Sequence, residues 1–414
     1  MSQCPYTNLL DPDLYAAGNH HAKLQELREQ ADAPIIKIED PIQGVPYWTV
    51  LERQYADQII KNTAVFSSEE RLMIPREYDD ETVALQQSML VNIDPPKHGK
   101  YRRIANSAFS LKAVESYKDT FKRYAKEIID TVASRGSCEF VTEVAAELPL
   151  MAILDLCGVP KEDRGDFFTW TNEMIFQNDD DIAGGNPEAV SQAAAANMYL
   201  YAGELAKKHA EKPLTSIVGA LLDGEVAGEK LTEEEFQLFF LMLIAAGNES
   251  TRSVIAHGMR LLMEHPDQLQ MLVDDPSLIP DAVEEILRYN PAFVAMRRTV
   301  MEDIEIAGVQ MKKGDKLLLH WHLINQDEHV FDEAIKFDIT RAQRMPELFR
   351  EHRAFGLGTH FCLGAHLART ELNVMFEELI PRLRNPKFAE PVRYMRDYFV
   401  NSIKVMNITF DAEA

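Results

Sequence analysis

The chain has 414 residues, 46% of them hydrophobic, with 43 Lys and Arg against 66 Asp and Glu and a formal net charge of −23. That apolar content supplies a large core, and the charge argues against nucleic acid, whose phosphates need a basic face, and against an anionic membrane surface. The four cysteines, Cys4, Cys138, Cys157 and Cys362, lie far apart with no C-x-x-C pair, which suits a reducing compartment and not a disulfide framework.

The first 21 residues show neither a basic stretch followed by an apolar one nor a cleavage-like site, so the expectation is a soluble, cytoplasmic chain without a membrane anchor. Length alone would suggest two or three domains. No Gly/Ser-rich or Pro-rich linker separates the motifs described below, so one domain over 1–414 is expected, with 1–34 peripheral.

Residues 11–32 read as one helix, and IIKI at 35–38 with YWTVL at 47–51 reads as a β-hairpin turning through Gly44. From Phe66 to Val91 the pattern dissolves into a long loop, a length that is usually functional inside a compact protein. In DPPKHGKYRRIANSAFS, from Asp94, His98 and Arg102 stand four apart on one face of a helix that the prolines would start. A solvated basic face is the ordinary outcome of such a cluster. The neighbouring Lys97, Lys100, Arg103 and Lys112 would form a local basic patch on an acidic protein.

Helical patterns fill 112–159, and others flank the acidic, glycine-bearing turn NDDDIAGGNP. A capping box between Thr232 and Glu235 opens a long helix whose run FFLMLIAAG is apolar on all faces, hence buried and too short for a membrane span. AGNEST follows: a mid-helix glycine costs about 1 kcal/mol relative to alanine, and an acid at the end of an apolar run is costly unless satisfied. Glu285 and Arg288 in EEILR form an i, i+3 pair. Residues 291–320 alternate as strands around turns at Gly308 and Lys313-Gly314, and DYFVNSIKVMNITF alternates again near the end.

In FGLGTHFCLGAHLAR, from Phe355 to Arg369, one cysteine sits between glycine-bearing turns and an amphipathic helix. The N–H groups of Leu363 and Gly364 at that helix N-terminus favour a thiolate on Cys362. Gly356, Gly358 and Gly364 would let the chain bend tightly or lie flat against a rigid partner. A free cysteine is more often a small buried hydrophobe, but the whole pattern Phe-Gly-x-Gly-x-His-x-Cys-x-Gly-x-x-Leu-Ala-Arg resembles the haem loop of the cytochrome P-450 superfamily without a mismatch.

That resemblance runs from about residue 35 to residue 410, and it implies a mainly α (α+β), triangular fold enclosing haem b. It makes Cys362 the axial metal ligand, with Phe355, Gly356, His360 and Gly364 around the cofactor. His98, Arg102 and Arg298 become propionate ligands by the same resemblance. AGNEST is similar to the oxygen-binding motif A-G-x-[DE]-[TS]: Ala246 and Gly247 make room for dioxygen, and Glu249 with Ser250 relays protons. Serine stands where threonine is common, with Thr251 adjacent. Glu285, Arg288 and Arg341 match a structural charge cluster, and Leu90, Val91, Leu243, Val294, Ala295, Phe399 and Val400 are expected in the substrate pocket.

The implied reaction is monooxygenation of an apolar small molecule, of the terpenoid, steroid or lipid kind taken by the bacterial members that the chain most resembles. No G-x-G-x-x-G fingerprint occurs, so electrons would come from separate chains, a ferredoxin and an NAD(P)H-dependent ferredoxin reductase, the former docking on the basic patch. A peroxide-driven enzyme and a non-catalytic haem or gas-binding protein are the rival readings. Glu249 and Ser250 argue against both.

Overall fold

The computed structural model describes residues 6–106, 109–214, 216–226 and 228–413; Cys4, Ser107 and Ala108 lie outside the described residues. The architecture is mainly helical, with four small sheets. Its axis is the helix Glu233–Glu264, opened by the expected capping box: Glu235 N–H donates to Thr232 Oγ1 at 3.2 Å, and Thr232 N–H donates to Glu235 Oε2 at 3.0 Å. Because this helix is apolar on nearly every face it is packed on several sides, by Glu147–Cys157, Pro187–Glu211 and Ala365–Arg382. The largest apolar cluster lies among these helices and Lys118–Ala133. No helix among the described residues is long and apolar enough to cross a membrane.

The hairpin forms as expected, Ile35–Ile38 pairing antiparallel with Tyr47–Val50. The second strand runs parallel to Lys316–His320, which pairs antiparallel with Ala295–Val300, and Phe66–Ser67 closes the sheet. Two expectations are corrected. The single helix over 11–32 is two, Pro12–Ala16 and His20–Gln30, because Gly18 adopts φ +67 where a Cβ would lie 2.3 Å from the Tyr394 ring. The loop 66–91 contains a helix, Asp80–Gln86, whose N-terminus is capped by the Asp79 carboxylate accepting from Thr82 N–H at 2.7 Å.

Where His20–Gln30 meets Trp321–Asn325, the interior is rich in imidazole. His257 and His320 are wholly buried, and burial holds His257 well below the ordinary histidine range and His320 at about 3. The folded state keeps these rings neutral, whereas the unfolded chain takes up protons below about pH 6.5. Their contribution is therefore complete above that pH and falls as pH drops toward the folded values, by about 1.4 kcal/mol per pH unit per ring. Urea unfolding at pH 5 is expected at a clearly lower midpoint than at pH 7.5. Equal midpoints would mean that the rings are not buried neutral.

Candidate active site

The loop before the last long helix is shaped by its glycines. Gly356 and Gly358 take φ +69 and +68, which side chains resist, and Cys362 N–H returns to Phe355 O at 2.9 Å to close the turn. The helix Ala365–Arg382 then starts with Gly364 as N-cap. Behind the loop, Glu284 accepts from Arg369 Nε at 2.6 Å and pairs with His352 Nε2 at 2.8 Å. Against the cost of burial, these partners hold the Glu284 carboxylate at about 2. The Arg369 guanidinium also lies 4.6 Å from the centre of the Phe355 ring, so one charge cluster pins both ends of the loop.

Cys362 opens onto a predominantly apolar cavity of about 1530 Å³ including its mouth. Ala246, Gly247, Ser250 and Thr251 of the central helix line the same space, as do His98, Arg102, Arg298, His360, Phe355, Gly356 and Gly364. Neither Arg102 nor Arg298 forms an ion pair with a described carboxylate, although Arg298 is buried. Burial pulls Arg298 down to about 10 and His98 to about 4. It draws His360 to about 2 with help from Arg298, His98 and Arg102. The rings of His98 and His360 are 4.5 Å apart.

Two guanidiniums without an ion-pair partner and two imidazoles on the wall of an apolar cavity fit a large apolar ligand that carries carboxylates. A Cβ on Gly364 would meet nothing within 4 Å, which leaves a flat clearance beside the sulfur. These residues suit haem: Cys362 would hold its iron, His98, Arg102 and Arg298 its propionates.

The structure reverses one electrostatic expectation. Burial raises the Cys362 thiol above its ordinary value, and the Gly364 N–H, Arg102 and Arg369 only partly oppose it. The helix terminus alone does not make a thiolate in this protein. A bound metal cation has to supply the difference.

Of the expected pocket residues, Leu90, Val91 and Leu243 line the cavity, but Val294, Ala295, Phe399 and Val400 do not. Strand alternation explains Ala295: the face that turns Arg298 inward carries Met296, and Ala295 falls on the other; Val294 precedes the strand, and both join the apolar cluster of Leu9, Leu10 and Tyr15. Val400 bridges to Phe293, and Phe399 stacks behind it with ring centres 5.0 Å apart, so Phe293 reaches the cavity in their place. Counting back by twos from Arg298 reaches Met296 only once the strand's extent and pairing are known, since the same count continues to Val294, which does not line the cavity. Met73, Met242 and Ile153 also line it, brought by packing that no local pattern announces.

Glu249 is also absent from the cavity wall. It is wholly enclosed, with Oε2 2.7 Å from Arg252 Nη2 but outside hydrogen-bond alignment, and Oε1 accepts from Asn248 Nδ2 at 3.1 Å. Burial raises its pKa while Arg252 opposes the rise. Ser250 does face the cavity, its hydroxyl donating to Ala246 O at 2.6 Å. The direction in which Gly247 would carry a Cβ meets Ile153 at 3.2 Å, so its small size serves helix packing as well as space in the cavity.

Glu285, Arg288 and Arg341 meet as expected. One carboxylate accepts from Arg288 at 2.7 and 2.8 Å and from Arg341 at 3.0 Å, all three groups being buried.

A cysteine loop facing a helix-lined apolar cavity, with two guanidiniums that form no ion pair on its wall, defines a haem-thiolate site. The family model for cytochrome P450 matches residues 202–387. The chain is 35% identical over 411 residues to a steroid C26-monooxygenase of Rhodococcus jostii (strain RHA1), covering 97% of this chain and 84% of that protein. It is 32% identical over 385 residues to a methyl-branched lipid omega-hydroxylase of Mycobacterium tuberculosis (strain CDC 1551 / Oshkosh), covering 91% and 87%. A Mycobacterium marinum cytochrome P450 solved with pseudoionone superposes with a TM-score of 0.87 at 29% identity, covering 99% of this chain and all of that one. The chain belongs to the cytochrome P450 family. It is a monooxygenase with a cysteine-ligated haem b, and among the described residues Cys362 is the one cysteine on the cavity wall.

Proposed function

We propose that this enzyme, acting as a single haem-binding unit, hydroxylates an aliphatic carbon of a steroid or a methyl-branched lipid. The observation that carries this reading is the cavity lining. Beyond the basic groups, the two hydroxyls, Trp321, Glu371 and the cysteine loop, its wall is mostly apolar, with Met73, Leu90, Val91, Leu243, Phe293 and Met296 offering a ligand no side-chain hydrogen bonds and able to reshape around a branched chain. The names of the relatives, a steroid C26-monooxygenase and a methyl-branched lipid omega-hydroxylase, point the same way.

Bound haem supplies the reductive splitting of dioxygen, one atom entering a substrate C–H bond and the other leaving as water. The chain's own residues do the rest. Cys362 would hold the iron through its sulfur, giving up its proton to do so; His98, Arg102 and Arg298 would neutralise the propionates; the apolar wall orients the substrate and excludes water. Ser250 and Thr251 hold hydroxyl protons at the cavity, and Glu249, one residue behind, replenishes them when it swings away from Arg252.

Ser250→Ala is expected to lower product formed per NADPH consumed by about a hundredfold, the lower end of the range for a positioned proton donor, with hydrogen peroxide released instead. Normal coupling in Ser250→Ala, with Thr251→Ala uncoupled, would transfer the role to Thr251.

Electrons are supplied by a ferredoxin and an NAD(P)H-dependent ferredoxin reductase. Lys97 and Lys100 already face Glu235 at 3.7 Å and Glu229 at 2.9 Å, so docking of an acidic carrier rests on the exposed Arg103 and Lys112. The test of substrate class is spectral. Steroids with branched side chains and methyl-branched fatty acids, added to the ferric enzyme, are expected to shift its Soret band in the type I sense and to give hydroxylated products with NADPH and both electron carriers. If no compound of either group does so, the assignment fails.

A further inference from the structure

Away from the haem cavity, three imidazoles converge from two separate elements. His20 and His21 open the helix His20–Gln30, and His322 stands second in Trp321–Asn325. Their ring centres are 4.5, 5.2 and 5.3 Å apart pairwise, and one nitrogen from each lies within 4.8 Å of the other two. We propose that these three side chains bind one transition-metal dication of the zinc class, which ties the N-terminal helix to the body of the protein.

The hydrogen-bond account of the cluster is what requires a ligand. A neutral imidazole has one N–H donor and one lone pair, and leaving either unmade in the interior is costly. His20 is 2% exposed and has no partner on either nitrogen. His322 is wholly buried and its Nδ1 meets nothing; its Nε2 lies 3.2 Å from the Asn401 side-chain amide, which in the turned-over orientation accepts from Nε2–H through Oδ1 and frees the Nδ1 lone pair for a metal. His21 is arranged as a ligand with outer support: Nε2 donates to Asn290 Oδ1 at 3.2 Å, which leaves the lone pair on Nδ1, where Gln326 Nε2 now donates at 3.0 Å. A metal at Nδ1 would replace only that amide, and Asn290 would keep fixing the tautomer, as acceptors behind metal-bound histidines do.

Three imidazoles without thiolate or carboxylate select zinc, copper or nickel over magnesium and calcium. Zinc–nitrogen bonds of 2.0–2.1 Å put tetrahedral ligand atoms about 3.4 Å apart, so the rings need draw together only slightly, with water as fourth ligand. His21 is partly exposed and gives an ion its way in. Arg260 and Arg288 are the nearby cations that would oppose a metal, and Glu264 at 2.6 Å and Glu285 at 2.7 Å hold them and offset their charge.

The test uses the purified holoenzyme, stripped with a chelator, loaded with zinc sulfate, desalted and analysed for metals against haem iron. The expected result is one retained zinc per haem, falling at least tenfold in His20→Gln and in His322→Gln while the carbon monoxide spectrum of each stays unchanged. Zinc-edge X-ray absorption of the loaded wild type should show a shell of three imidazole nitrogens, and this measurement decides the matter even if a variant does not fold. No retained zinc, full retention in both variants, or a shell of oxygen or sulfur would overturn the site and leave the imidazoles to buried water.

Discussion

Glu285→Gln is expected to cost about 3–5 kcal/mol of folding stability. The side chain keeps its shape but loses its charge, and two buried guanidiniums share that one carboxylate. Arg288 and Arg341 would be left facing each other with no counter-charge, only the neutral Gln amide oxygen and backbone carbonyls as acceptors: those of Asn325, Ala334 and Lys336 for Arg288, and those of Glu333 and Lys336 among others for Arg341. Glu285 Oε1 also accepts from Asp338 N–H at 2.9 Å, and without the charge this tie between the helix Ile279–Tyr289 and the segment that leads toward the cysteine loop weakens. Urea unfolding of the haem-loaded protein measures the loss, and haem should dissociate at lower urea than in wild type. A shift below about 0.5 kcal/mol, the range of an ordinary surface substitution, would show the cluster to be structurally idle.

The second large effect falls on chemistry and leaves the fold intact. In Cys362→Ser the Cys362 backbone N–H still closes the turn on Phe355 O, and the Glu284, His352 and Arg369 cluster still pins the loop. What disappears is a sulfur able to give up its proton to a metal. The reduced carbon monoxide complex is therefore expected to lose its strongly red-shifted Soret band, and substrate hydroxylation should fall by at least about 10³, as when an essential group is removed from a site that acts as a unit. Retention of the red-shifted band would exclude Cys362 as the ligand.

The residues around Cys362 illustrate what a single chain reveals. The glycine positions, the cysteine, the His98 and Arg102 pair and the Glu285 and Arg288 pair were legible because each lies within one or two turns of chain, whereas Arg298 and Arg341 were placed by resemblance alone. The departures came where one decision depended on a distant surface. Ala295 and Met296 are both apolar neighbours, and only the pairing of Ala295–Val300 with Lys316–His320 decides which of them looks into the cavity. Glu249 was legible as an acid needing a partner, but Arg252 and Asn248 became that partner only through packing of the central helix.

Sequence by itself thus determined the family, the cofactor loop, the capping of the central helix at Thr232 and the acid–hydroxyl run that follows, all of which are set within one or two turns of chain. Tertiary structure decided the rest: the one-residue choice between the two faces of a strand, the break at Gly18 under Tyr394, and the balance at Cys362. The physical reason is the same in each case. Hydrogen bonds and helix dipoles act between near neighbours and are written in spacing, whereas burial is a property of everything packed around a group, and at Cys362 burial outweighs the helix end.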